Sequence, residues 1–190
     1  MSNGPLDRRR RIEGMVFLAG FTACVPAANF LIQYVGTECA PGGPCLIPVA
    51  PGIMAPSGVL MVGLALTLRD LVQRRLGVGL SAIAVLVGAA LSALFAPPAL
   101  VIASAAAFLF SEFADLGVYT PLQRRGLVLA ATASSLVGIV VDSIVFLGIA
   151  FGDLSFLAGQ VIGKGWMVLA CIPALAWLRA RDARMGLHPV

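Results

Sequence analysis

Six apolar stretches, each close to the length needed to cross a bilayer, constrain this chain more than any other feature. They run about Gly14–Gly36, Gly52–Leu68, Gly77–Phe95, Pro97–Val118, Gly126–Phe151 and Leu154–Leu178. A spanning helix needs roughly 20 apolar residues. The runs are continuous rather than alternating, so they predict helices and not barrel strands. Ala96, Pro97 and Pro98 alone divide the third run from the fourth. Proline suits a tight turn and a first helical turn, so the two runs read as a helical hairpin. The composition agrees: 59% of the residues are hydrophobic and 12% charged, about half the charge of a soluble domain.

The basic residues test this map. Arg8–Arg11 precede the first run, Arg69, Arg74 and Arg75 follow the second, Arg124 and Arg125 follow the fourth, and Arg179, Arg181 and Arg184 follow the sixth. Of the 13 Lys and Arg residues, only Lys164 falls elsewhere. Six crossings put the other twelve on one side, and the positive-inside rule makes that side cytoplasmic, with both termini there. The expected fold is therefore an all-α membrane protein, a single six-transmembrane-helix bundle over residues 1–190. The basic N-terminus resembles a signal peptide, but its apolar stretch is too long and further spans follow, so the first helix is read as uncleaved. The net charge of +4 is explained by topology and lipid headgroups and calls for no nucleic-acid partner.

Four ionisable residues lie inside the apolar runs: Glu112, Asp115, Asp142 and Lys164. Each costs about 2.5–3.5 kcal/mol to insert and so faces a bundle interior. Asp142 lies nine residues before Phe151, and Lys164 ten residues after Leu154. At about 1.5 Å per residue both reach roughly 14–15 Å below the outer surface, near the midplane. A structural Asp142–Lys164 pair and a substrate site are both consistent with that depth. Glu112 and Asp115, spaced i, i+3, share one helix face, which Tyr119 continues. Asn29 and Gln33 sit i, i+4 on the first helix. Ser134 and Ser135 precede Asp142 on the fifth, and Gln160 precedes Lys164 by one turn on the sixth. Arg69 and Asp70 close the second helix at the inner surface, as interfacial anchors or gating residues.

No nucleophile–base pair, HExxH, GxSxG or phosphate loop is present, and little chain lies outside the membrane, so an enzyme is not expected. No metal spacing occurs, and no cofactor is implied. Cys24 and Cys171 read as packing residues, and His188 as a solvated tail residue. Cys39 and Cys45 bracket APGGP and read equally as a local disulfide or as two free thiols.

The chain resembles the VUT family of vitamin uptake transporters, which includes the queuosine-precursor transporters. The resemblance covers about Asn29 to Lys164. It rests on Asn29, on TLRDLVQRRLG with Asp70, on ADLGVY with Asp115, on SSLVGIVVDSIVFLGIAFG with Ser134 and Asp142, and on Lys164. It departs at Ile139, where some members carry an amide, and at Glu112, where some carry Gln. The resemblance implies a six-helix bundle like the substrate-binding subunits of energy-coupling-factor transporters. It also implies import of 7-cyano-7-deazaguanine or 7-aminomethyl-7-deazaguanine across a bacterial plasma (inner) membrane. The expected substrate-binding residues are Asn29, Glu112, Asp115, Ser134, Asp142, Gln160 and Lys164, with Glu112 and Asp115 interfacial instead if the fourth helix ends early; Phe108, Phe113 and Trp166 offer an aromatic slot, with packing as the alternative for Trp166. The expected partners are a small deazapurine and the lipid bilayer, and a homo-oligomer is open. Two other classes compete. One is a binding subunit that needs partner proteins, for which Ala19 and Ala23 at small-xxx-small spacing provide a contact. The other is a structural membrane protein whose buried charges only pair.

Overall fold

The computed structural model describes residues 4–39, 41 and 43–190. Six long helices account for most of them: α1 Pro5–Tyr34, α2 Val59–Leu76, α3 Val78–Phe95, α4 Val101–Leu122, α5 Leu127–Ala150 and α6 Leu157–Met185. A short 3-10 turn, Pro98–Leu100, lies between α3 and α4, where the two prolines were read as a hairpin turn. Large apolar side chains cover the outside, among them Val16, Leu94, Ile102, Leu136 and Leu169, all more than half exposed. The buried interior instead holds Arg69, Asp70, Glu112, Asp115, Asp142 and Lys164. Polar inside and apolar outside is the arrangement that suits lipid as solvent.

Five of the helices, all but α2, are long and apolar enough to cross a membrane. Helix α2 falls short because Arg69, Asp70, Arg74 and Arg75 lie within its 18 residues, yet all four are buried. Read from sequence, the second helix spans Gly52–Leu68. In the structure it starts seven residues later and ends eight residues later, at Leu76. Its first charges do not mark a water boundary, because neighbouring helices supply their partners. Helices α1 and α6 likewise extend past the apolar runs toward the arginine-rich end. There Glu13 meets Arg75 at 2.9 Å and Arg181 at 2.6 Å, while Asp182 meets Arg75 at 2.7 Å and Arg74 at 3.0 Å. These pairs tie α1, α2 and α6 together at the end where α1 begins and α6 finishes.

The opposite end carries a small antiparallel sheet, which the sequence does not announce. Strands β1 Glu38–Cys39, β2 Cys45–Ala50 and β3 Ile53–Pro56 pair in chain order. The register sets Cys39 opposite Cys45, and the two form a disulfide. This settles the thiol alternative for that loop, of which Ala40 and Gly42 lie outside the described residues. Val49, Ala55 and Val59 pack with Ile162 of α6, so the sheet covers that end of the bundle.

Helices α2 and α3 are joined by Gly77 alone, at φ 86° and ψ 168°, a region open essentially only to glycine. Gly77→Ala is expected to lower stability by about 1–3 kcal/mol. Gly79→Ala, two residues on and with nothing within 4 Å of an added Cβ, is expected to change it little. Thermal unfolding of both variants in the same detergent checks this, and equal melting points would remove the strain assigned to Gly77.

Candidate functional site

Two polar clusters occupy the interior, and Glu112 joins them. The first lines a cavity of about 80 Å³ bordered by all six helices. Lys164 on α6 approaches Asp142 on α5, with Nζ 2.6 Å from Oδ2. The depth read from sequence brings these two residues level, and the structure pairs them. Lys164 Nζ also donates to Ser143 Oγ at 2.8 Å and to the side-chain oxygen of Gln160, one turn back on its own helix. Asp142 Oδ1 accepts from Ser111 Oγ at 3.4 Å. Asn29 Nδ2 donates to Val25 O at 3.0 Å in its own helix. The remaining wall is mostly apolar, with Phe108, Phe146, Val59 and Val62 among its residues and Ser92 and Ser104 as its polar members. Lys164 is 1% exposed and Asp142 7%. The cavity therefore offers a carboxylate and an ammonium in a mostly apolar slot. Such groups make charge-assisted hydrogen bonds, the stronger kind.

The second cluster is centred on Arg69 of α2. Its Nε donates to Glu112 Oε2 at 3.1 Å. Its Nη2 lies 3.0 Å from Asp70 Oδ1 and also pairs with Asp115. Its Nη1 donates to Gln73 Oε1 at 3.1 Å. Gln73 in turn donates to Thr120 Oγ1 at 3.0 Å, and Ser134 Oγ donates to Asp70 Oδ2 at 3.0 Å. The guanidinium carbon lies 5.8 Å from the centroid of the Tyr119 ring. Arg69, Asp70, Asp115, Ser134 and Tyr119 are all fully buried. One cation thus faces three carboxylates away from water. The fork of the guanidinium makes this feasible, since it can serve several oxygens in separate directions.

The structure divides the expected site residues. Asn29, Glu112, Asp142, Gln160 and Lys164 line the cavity. Asp115 and Ser134 do not; they belong to the Arg69 cluster. Arg69 and Asp70 are not interfacial anchors, because α2 continues well past them and α4 and α5 close over them. The aromatic slot is also redrawn. Phe108 lines the cavity and packs on Phe21, with centroids 5.8 Å apart. Phe113 is 39% exposed and Trp166 54% exposed, both outside. Trp166 Nε1 instead donates to Val49 O at 2.8 Å, fastening strand β2 to α6. Sequence reasoning missed Ser111, Ser143, Gln73 and Thr120. Adjacency offered a signal for the first two, which stand directly beside Glu112 and Asp142, and Gln73 lies one turn from Arg69.

Among the described residues, Glu112 is the one side chain that does both jobs: its carboxylate is held by Arg69 and its surface lines the cavity.

A family model described as "Putative vitamin uptake transporter" matches residues 59–178, well over half the chain. That span runs from the start of α2 to the last buried leucine before the arginine-rich end of α6, and so holds every charged residue of both clusters. No curated protein and no solved structure matches the chain.

Proposed function

Because the chain belongs to the vitamin uptake transporter family, we propose that it imports a queuosine precursor, 7-cyano-7-deazaguanine or 7-aminomethyl-7-deazaguanine, across a bacterial inner membrane. The observation that carries this reading is the buried Asp142–Lys164 pair in the wall of an apolar cavity. A deazaguanine is flat and presents adjacent N–H donors on its Watson–Crick edge. A carboxylate accepts two such bonds side by side. Asp142 takes that role, with Ser111 holding its second oxygen in place. Gln160, whose amide nitrogen remains free, serves an acceptor of the ring, Lys164 holds Asp142 ionised, and Asn29 approaches from α1. Phe108 and the apolar wall cover the ring faces. Glu112 contacts the ligand from the side of Arg69 and reports occupancy to the second cluster. In this reading Asp115, Ser134 and Asp70 support the site from one layer below.

The topology belongs to the same proposal. Helix α2 spans with the other five, because its charges point inward to partners and not to lipid. The arginine-rich end is then cytoplasmic. The sheet with its Cys39–Cys45 disulfide lies on the oxidising side, above the cavity. A second reading makes the chain a binding subunit of a multi-component uptake system. It is favoured by Ala19 and Ala23, which the bundle leaves exposed on α1 and which permit close approach of another helix. Co-purification of an ATPase supports that reading.

Proteoliposomes that contain the protein alone are expected to take up 7-cyano-7-deazaguanine faster than empty vesicles. Uptake no faster than in empty vesicles, from protein shown to be folded, refutes transport by the solitary chain.

A further inference from the structure

Four carboxylates and two cations make up the two interior clusters: Asp70, Glu112, Asp115 and Asp142 against Arg69 and Lys164. All six are buried. A buried charge is costly unless it is paired, so a set with twice as many acids as bases favours further positive charge. The structure shows which acid a ligand can reach. Both oxygens of Asp115 and Oδ1 of Asp70 are sealed from contact, and Asp70 Oδ2 is held by Ser134. Asp142 has a partner on each oxygen, Ser111 on one and Lys164 on the other.

Glu112 is different. Its Oε2 accepts from Arg69 at 3.1 Å. Its Oε1 accepts no hydrogen bond among the described residues, yet it is not one of the sealed oxygens. The residue is 2% exposed and lines the cavity, so this free oxygen faces the cavity. The one cation among the described lining residues, Lys164, already engages Asp142, Ser143 and Gln160 through its Nζ. A carboxylate oxygen without a donor, in a mostly apolar wall, is suited to a charged donor on the ligand.

The two deazapurines differ at one substituent. A 7-cyano group ends in a neutral acceptor nitrogen, which would set its negative end against Oε1. A 7-aminomethyl group is an ammonium at neutral pH, with three donors. Either one projects from the five-membered ring, away from the N–H donors offered to Asp142. We propose that the cavity selects its ligand by charge: Glu112 Oε1 accepts the protonated aminomethyl group, and 7-aminomethyl-7-deazaguanine is preferred to the nitrile. This inference rests on the deazapurine reading and names the substituent that reading leaves open.

Calorimetric titration of the purified full chain with the 7-aminomethyl, 7-hydroxymethyl and 7-cyano compounds tests it, on wild type and on Glu112→Gln. The hydroxymethyl group keeps the size and a donor and removes the charge. The wild type is expected to bind the amine about 10- to 100-fold more tightly than either neutral compound. The glutamine can still accept from Arg69 through its amide oxygen, and it turns a donor nitrogen toward the substituent. Affinity for the amine should therefore fall by about the same factor, and affinity for the nitrile should rise. Melting points in detergent report folding, and the wild-type order is a test that does not depend on the variant. Equal binding of amine and alcohol by wild type, or tighter binding of the nitrile, overturns the charge selection and leaves the deazapurine reading in place. A preference for the amine that persists in folded Glu112→Gln overturns Glu112 as its receptor. Binding of none of the three by folded wild type overturns the deazapurine reading, and this inference with it.

Discussion

Replacing Arg69 with Met is expected to cost more stability than any other single substitution in this chain. The guanidinium is fully buried and is the only cation in contact with Asp70, Glu112 and Asp115 among the described residues. Its removal strands three carboxylates in a water-free interior. Breaking one buried ion pair costs about 3–5 kcal/mol, against a total stability of about 5–15 kcal/mol for a typical domain. Lysine should not rescue it. A single ammonium cannot reproduce an Nε bond to Glu112, an Nη1 bond to Gln73 and an Nη2 shared by two aspartates. Adding Glu112→Gln and Asp115→Asn to Arg69→Met removes two of the stranded charges and should recover much of the loss. The readout is the melting point in detergent across the four proteins. Wild-type melting of Arg69→Met alone would mean that the cluster does not hold the bundle together.

The second large effect falls on the Asp142–Lys164 pair, and it separates function from packing. Asp142→Asn keeps the shape of the side chain but loses a charged acceptor. Hydrogen bonds to charged groups contribute about 1.5–3 kcal/mol, so ligand affinity is expected to fall roughly 10- to 100-fold. Lys164→Met leaves Asp142 buried without its partner and should weaken both folding and binding. The exchange Asp142→Lys with Lys164→Asp is the decisive variant. The pair is re-formed with its sign reversed, so folding should return, whereas the ligand meets an ammonium where it needs a carboxylate. Folding without binding is the expected outcome. Full recovery of both would make the pair a structural device and remove Asp142 from the site.

Much of the bundle was legible in the sequence because lipid imposes a simple code. Continuous apolar runs gave helices, and the Asp142–Lys164 pair followed from counting residues inward from two adjacent helix ends. The Arg69 cluster was harder to see. Arg69 and Asp70 stand at the end of an apolar run, where a charge usually marks water, and only tertiary neighbours on α4 and α5 reveal that this place is buried. Trp166 and Phe113 failed for a related reason. A helix apolar on every side gives no moment to say which face turns inward, so a ligand slot and plain packing were both open for Trp166 and Phe113, and both lie outside. The sheet between α1 and α2 escaped because its strands are short and carry Pro48 and Pro56, and proline argues against a strand.

The most direct test of the central claim is the binding of 7-cyano-7-deazaguanine to the purified, folded protein, measured by calorimetric titration with Asp142→Asn alongside. The account predicts saturable binding by the wild type and a loss of roughly 10- to 100-fold in the variant. Absence of binding by folded wild type, or equal binding by both, would contradict it. The first outcome would leave the cavity to another ligand, and the second would place the deazapurine away from Asp142.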